Sequence, residues 1–349
     1  MSTTGRIRVV IDGPPIQRAC MDAAPLLSDL ARRPFRVREA LELGVSRRRL
    51  RAQDLWTPTR GVRTTEPPSN VVELARSFAV AAPVEFAFSH VTAAQLLGIP
   101  LPYAVEADCR IHIVTPTAAN RIRRADVQGH RGLESREVID IEGLPVVAPS
   151  DSWVDLGEYV GSGRPVGLDD LIVAGDAVAN LVGGTEPLRR AVEKRVRPRG
   201  KVTLTYAIPR IRRGSWSPME TRARLMVVRA GLPEPLHNVD VTSRSGDWLG
   251  CGDLVWEEQR VVGEYQGVEF HTRGRDRDRD GRRRARMERG DWAVVEIVAD
   301  EVFVRDCRAA KLRELAGHLG VNPHLLDVLG ADPQFLAPAQ FARPRRRRS

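Results

Sequence analysis

The stretch CGDLVWEEQRVVGEYQG, Cys251 to Gly267, decides how this chain folds. Two runs of alternating apolar residues, CGDLVW and RVVGEYQ, flank the short polar segment Glu257–Gln259. That is the pattern of an antiparallel hairpin. A turn centred on Glu258–Gln259 sets Asp253 opposite Glu264, and cross-strand partners face the same way. Gln266, two residues on, points there too. Two carboxylates and a carboxamide then converge on one patch of sheet, a trio that packing alone does not select.

The flanks extend the pattern. Ser217 is placed to cap a helix that begins at Pro218, carries Glu220 and ends at Gly231 and Pro233. Leu236–Val241, Trp248–Trp256 and Val261–Gln266 read as strands. A helix over about 278–289 follows, then a last strand over Trp292–Val298. The order over 215–322 is helix, three strands, helix, strand.

These residues resemble the PD-(D/E)XK nuclease superfamily, and within it the very-short-patch-repair-like endonuclease-domain proteins of actinobacterial type. The resemblance rests on Ser217–Thr221, Asp253–Leu254, Glu264–Gly267 with His271, the trio Asp280, Arg283 and Met287, and Trp292–Val294. It implies a restriction-endonuclease-like αβββαβ core hydrolysing phosphodiesters with Mg²⁺ or Mn²⁺. A hard divalent cation polarises the phosphoryl oxygen and needs only one or two carboxylates beside water and substrate. Asp253 and Glu264 are the expected metal ligands. The Tyr265 carbonyl is a third by resemblance, and Glu220 contributes through a water. The sequence departs from the pattern in three places. Gln266 stands where the superfamily has lysine, so it orients a water without taking its proton. His271 lies further from Gly267 than usual and is read as base, as phosphate contact or as surface residue. Asp291 interrupts the expected Gly-Trp pair.

With 349 residues, 42% of them hydrophobic, the chain has room for two or three domains with their own cores. Cys20, Cys109, Cys251 and Cys307 are scattered without a C-x-x-C pair, which argues for a reducing cytoplasm and against a structural zinc site. No apolar run reaches the length of a membrane span. The net charge of +9 points to a polyanion, nucleic acid before membrane.

Residues 1–32 read as a poorly ordered leader. Over 33–66 the sequence reads as helix, tight turn, helix and β-wing, with Ser46 capping the second helix and Arg60-Gly61-Val62 at the wing. The core EALELGVSRRRL, from Glu39 to Leu50, resembles the N-terminal winged helix-turn-helix of abortive-infection type IV antitoxins. On that resemblance Arg47, Arg48, Arg49 and Arg51 are offered to a major groove. Residues 67–199 read as an antitoxin-like α+β region. Its acids Asp151, Asp155, Asp169, Asp170 and Asp176 are expected at helix starts or on the surface, and His90 as a packed histidine beside a capping Ser89. Residues 200–214 read as a basic linker and 323–349 as a basic tail. The run from Arg273 to Arg286 holds eight arginines, and Arg273, Arg275, Arg279 and Arg283 are read as a phosphate-facing ridge, the alternative being a solvated charged helix.

The expected architecture is therefore an α/β multi-domain protein: winged helix, α+β middle, nuclease-like core. Two functions follow. One is a Mg²⁺-dependent DNA endonuclease in defence, toxin–antitoxin biology or repair. The other is a noncatalytic DNA-binding antitoxin or regulator with a degenerate nuclease fold. A homodimer and a cognate toxin or defence partner are compatible with either.

Overall fold

The computed structural model describes residues 25–334 except 84, 121, 123, 162 and 268–273, and only the backbone of 274–280. The protein is mixed α/β, and the described strands form three sheets. It divides into two units, Met1–Ser152 and Trp153–Ser349.

In the first unit Leu30, Phe35, Ala40 and Leu50 form a small core. Strand β1 (Phe35–Arg36) runs straight into helix α1 (Val37–Glu42) and pairs antiparallel with β2 (Val62–Arg63). Leu30 is fully buried there, so the end of the expected leader belongs to the fold. Ser46 acts as a cap, its hydroxyl accepting the Arg49 amide at 3.2 Å. The expected second helix is nevertheless only one 3-10 turn, Arg49–Arg51. Leu50 turns into the core while the Arg49 guanidinium folds onto Asp54 at 2.7 Å.

Helix α2 (Val71–Ala79) follows, its Asn70 cap accepting the Glu73 amide, and leads to β3 (Ala87–Phe88), α3 (His90–Leu96) and α4 (Tyr103–Glu106). Then come β4 (Ile111–Thr115), β5 (Val127–Arg131), β6 (Val138–Ile141) and β7 (Leu144–Val147). These five strands form one sheet in the order β5-β4-β3-β7-β6, closed over Phe78, Phe86 and Phe88 in edge-to-face contact. Strands β5 and β6, which the sequence did not announce, are its two edges. An edge strand lacks the two-sided apolar pattern that makes β4 legible.

The division falls within helix α5 (Pro149–Leu156). The second unit contains α6 (Leu168–Val182), α7 (Glu186–Lys194) and α8 (Lys201–Ala207), then α9 (Pro218–Arg229). Strands β8 (Leu236–Thr242), β9 (Trp248–Trp256) and β10 (Val261–Tyr265) form an antiparallel meander. Helix α10 (Gly274–Arg289) carries the chain to β11 (Ala293–Ile297), which lies parallel to β10. Helices α11 (Ala299–Phe303) and α12 (Arg305–His318) follow. The sheet order is β11-β10-β9-β8. One core joins Ala223, Met226 and Val227 of α9 to Leu254, Trp256, Val261 and Leu312. A second joins Val255 and Val262 to Met287 of α10 and Trp292. The sheet is thus buried on both faces. Asp291, the residue interrupting the Gly-Trp pair, takes a left-handed φ of 64°. It closes α10 and lets the Trp292 amide return to the Met287 carbonyl at 3.1 Å.

Three sequence expectations fail in this unit. Residues 200–214 are no irregular linker: α8 and the 3-10 turn Ile208–Arg210 occupy them, with Leu204, Ala207, Ile208 and Ile211 buried. Asp169, Asp170 and Asp176 start or line α6 as expected but are buried, each bound by an arginine of α9. The tail is not wholly a tail, because Ala331 is buried and Asp332 receives Arg308. Residues 335–349 lie outside those described.

Candidate functional site

The β9–β10 hairpin has the centre read from the sequence: Val261 faces Trp256, Val262 faces Val255 and Gly263 faces Leu254. Glu264 and Asp253 are the next pair in that register. There the ladder gives way to a side chain. The Asp253 carboxylate accepts the Tyr265 amide at 2.8 Å, a charge-assisted bond that fixes it at the strand fork. One residue on, the Gln266 amide donates to the Ile297 carbonyl at 2.9 Å and ties β10 to β11. Glu264 itself is 3% exposed, and Arg283 of α10 approaches its carboxylate at 3.1 Å.

Helix α9 delivers Glu220 because Ser217 caps it as read, accepting the Glu220 amide. The Glu220 carboxylate is buried and accepts the Trp216 amide at 2.8 Å and the Asn238 side-chain amide at 2.7 Å. Asn238 sits in β8 with a left-handed φ of 47°, which interrupts the β8–β9 pairing at that residue. Two residues on, Asp240 pairs in register with Cys251 and accepts the Trp248 indole N–H at 2.8 Å. Burial pushes the Cys251 thiol up. Asp240 and Asp253 push it the same way, Arg283 opposes them, and Glu220 adds to the rise. Cys251 therefore stays protonated, surrounded by acids and one arginine. Asp240, Asn238 and Cys251 were not singled out in the sequence. The alternation of Asn238, Asp240 and Thr242 along LHNVDVT is the signal that marks a polar row there.

Arg283 corrects one expectation. Read as part of a phosphate-facing ridge, it instead lies between two groups of its own chain, the Glu264 carboxylate and the Cys251 carbonyl, which it reaches at 2.7 Å. Its seat depends on Gly250, where an added Cβ would stand 2.7 Å from the Met287 methyl and 3.0 Å from the Arg283 side chain. Arg49 is a second correction: 9% exposed and held by Asp54, it is not offered to a groove. Arg47, Arg48 and Arg51 are exposed. His271 and Arg273 lie outside the described residues, as do the side chains of Arg275 and Arg279.

A hard divalent cation fits this donor set by its chemistry. Glu220, Asp240, Asp253 and Glu264 all offer oxygen, and the protonated Cys251 does not compete. Among the described residues, Glu220, Asp253 and Glu264 do not bring three ligand atoms within 4.8 Å of one another. A Mg²⁺ ion asks for less, since waters and substrate fill most of its six positions.

The chain is 25% identical over 228 residues to two Mycobacterium tuberculosis proteins, "Uncharacterized protein MT2308" of strain CDC 1551 / Oshkosh and "Uncharacterized protein Rv2248" of strain ATCC 25618 / H37Rv. The matched region covers 65% of this chain and 79% of each relative. No protein-family profile matches, and no solved structure does.

Proposed function

We propose that the protein is a Mg²⁺-dependent DNA endonuclease whose site is built on the β9–β10 hairpin. The observation that carries this reading is the hairpin register: it runs to Gly263 opposite Leu254 and makes Glu264 and Asp253 the next positions, with Arg283 of α10 on Glu264 and Glu220 of α9 close enough to act on Cys251. Asp253, Glu264 and the Tyr265 carbonyl would hold the cation. When bound, it supplies Lewis-acid polarisation of the phosphate and a more acidic water. Gln266 orients that water by hydrogen bonding and leaves its proton elsewhere. Arg283 moves from Glu264 to a non-bridging phosphate oxygen, a change of partner that keeps its charge compensated. Exposed arginines such as Arg47, Arg48 and Arg51 provide sequence-independent affinity for the duplex backbone.

Plasmid nicking with Mg²⁺ or Mn²⁺ tests the reading, with wild type beside Asp253→Asn. Wild type is expected to nick and Asp253→Asn to be inactive. Equal inactivity of both in either metal, with DNA binding retained, rejects it.

One observation favours a second reading. Glu264 already has a counter-ion in Arg283, as in a site that has exchanged its metal for an arginine. On that reading the protein is a noncatalytic DNA-binding antitoxin or regulator, and the sheet serves as a scaffold.

A further inference from the structure

The turn between α7 and α8 carries KRVRPRGK over residues 194–201, five cations in eight residues and no acid. It is built as a rigid projection. At one end Arg195, 9% exposed, is buried on Asp155 of α5. At the other end Gly200 backs onto Gly157: a Cβ added to Gly200 would stand 2.5 Å from the Gly157 carbonyl, and one added to Gly157 would strike the Arg199 carbonyl. Leu188 and Val192 bury one side of α7, and Leu204 and Ala207 bury one side of α8. With both ends anchored, the middle of the turn points outward. Val196 at its apex is 92% exposed. Arg197 beside it has a left-handed φ of 50°. That region suits glycine or asparagine better than arginine, and a side chain kept there by fixed flanks points to a use outside the fold.

The cations of the turn are not consumed within the chain. Arg189 and Arg190 of α7 turn back to Glu186 at 3.4 and 3.6 Å, and Arg199 has Glu158 at 3.3 Å while remaining 74% exposed. Lys194, Arg197 and Lys201 are exposed, and among the described residues no acid pairs with them. The chain has 51 arginines and three lysines, and two of those lysines stand at the ends of this turn. Lysine meets a phosphate as a compact point charge, whereas arginine also suits a confined slot. An apolar apex flanked by one arginine and bracketed by two lysines matches a surface with apolar walls between two rows of anions. The minor groove of duplex DNA is such a surface, with sugars for walls and phosphates on both rims. At about 6 Å wide it excludes a helix and admits a single turn of chain. Where it narrows, its negative potential draws in an arginine. A membrane surface asks for more apolar area than one valine supplies.

From this geometry we infer that residues 194–201 form a DNA contact of their own, with Val196 and Arg197 entering the minor groove and Lys194 and Lys201 on the phosphates of its rims. The inference rests on the proposed function only in taking DNA as the partner, and needs neither metal nor cleavage.

The test measures binding of full-length protein to a fluorescein-labelled A/T-rich duplex by anisotropy, in EDTA and over a series of salt concentrations. Wild type is expected to bind. The triple variant Lys194→Ala/Arg197→Ala/Lys201→Ala should lose about 3 from the salt slope and bind at least about tenfold more weakly at low salt. Val196→Ser should weaken binding about fivefold, as for part of one valine side chain left in water, with the slope unchanged. Filling the minor groove with netropsin should weaken wild type and leave the residual binding of the triple variant as it is. Arg313→Ala, which removes an exposed cation of α12, should bind as wild type does. If the triple variant does not fold by circular dichroism, Arg197→Gln decides, with an expected loss of about 1 in slope. Failure of wild type to bind the duplex overturns the inference together with the DNA reading. Binding by wild type that the folded loop variants and netropsin leave unchanged overturns the inference alone. So does a loss, in the triple variant, of affinity for phosphatidylserine vesicles but not for DNA.

Discussion

Two acid–arginine systems lie in the second unit, and they handle charge differently. Between α6 and α9, Asp169, Asp170 and Asp176 receive Arg229, Arg222 and Arg224 at 2.5, 2.6 and 3.0 Å, and none of these side chains is more than 14% exposed. Each acid also accepts a further donor: the Gln334 amide, the Gly167 amide and the Thr221 hydroxyl, respectively. Burial still pushes the Asp176 carboxyl up despite Arg224, Arg212 and Thr221, which pull it down. At the sheet, Arg283 is 26% exposed and divides itself between Glu264 and the Cys251 carbonyl. The first system is closed on itself and acts as glue. The second has a counter-ion at the edge of water, able to change partners. Exposure of the arginine, more than length of the contact, separates a structural pair from an exchangeable one.

The contrast can be broken by removing one arginine from each system. Arg224→Met should cost about 3–5 kcal/mol, because it leaves Asp176 buried and uncompensated. Urea denaturation measures it, and added Mg²⁺ should restore none of the loss. Arg283→Met should cost less, about 1–3 kcal/mol, since water reaches that edge. Here millimolar Mg²⁺ should restore most of the stability by taking the vacated place beside Glu264. If Mg²⁺ rescues both variants or neither, the two systems are alike after all.

A third expectation sharpens the comparison through pH. His237 lies in β8, and among the described residues neither ring nitrogen has a hydrogen-bond partner. Burial lowers it to about 4, with Arg224 pushing the same way. The unfolded chain binds that proton near 6.5, so the stability is present above 6.5 and is lost as pH falls from there toward 4. The loss should be about 2 kcal/mol, and His237→Leu should flatten that stretch of the pH–stability curve. The smallest effect concerns arginines that belong to neither system. On the proposed DNA-binding reading, Arg47→Ala, Arg48→Ala and Arg51→Ala should each lower the salt slope of DNA affinity by about 1 and leave folding unchanged. Arg49→Ala should instead destabilise the fold, having Asp54 as its partner.

Much of the second unit was legible because its signals are local. A polar break between alternating runs gave the β9–β10 register, and Ser217 gave the start of α9. What escaped depends on distant partners. Asp169 and Asp170 resemble ordinary helix-start acids until α9 supplies Arg229 and Arg222. The α8 region reads as a linker by its charges, although Leu204, Ala207, Ile208 and Ile211 recur at helical spacing. The cluster of His90, His112 and His130 in the first unit, whose rings lie against one another, has no sequence period at all. Parallel pairing of β4 with β5 assembles it, and nothing near His90, His112 or His130 announces that pairing. In the acid site the residues Asp253 and Glu264 were readable, whereas Arg283, which pairs with Glu264, was assigned outward.

Gly250 has a bearing on how this protein can change over generations. Gly250→Ala alters no charge and removes no acid. Yet a single added carbon crowds the Met287 methyl and the Arg283 stem, and so shifts the cation that balances Glu264. The acids of the sheet and the helix beside them are therefore tied sterically through one residue with no side-chain chemistry of its own.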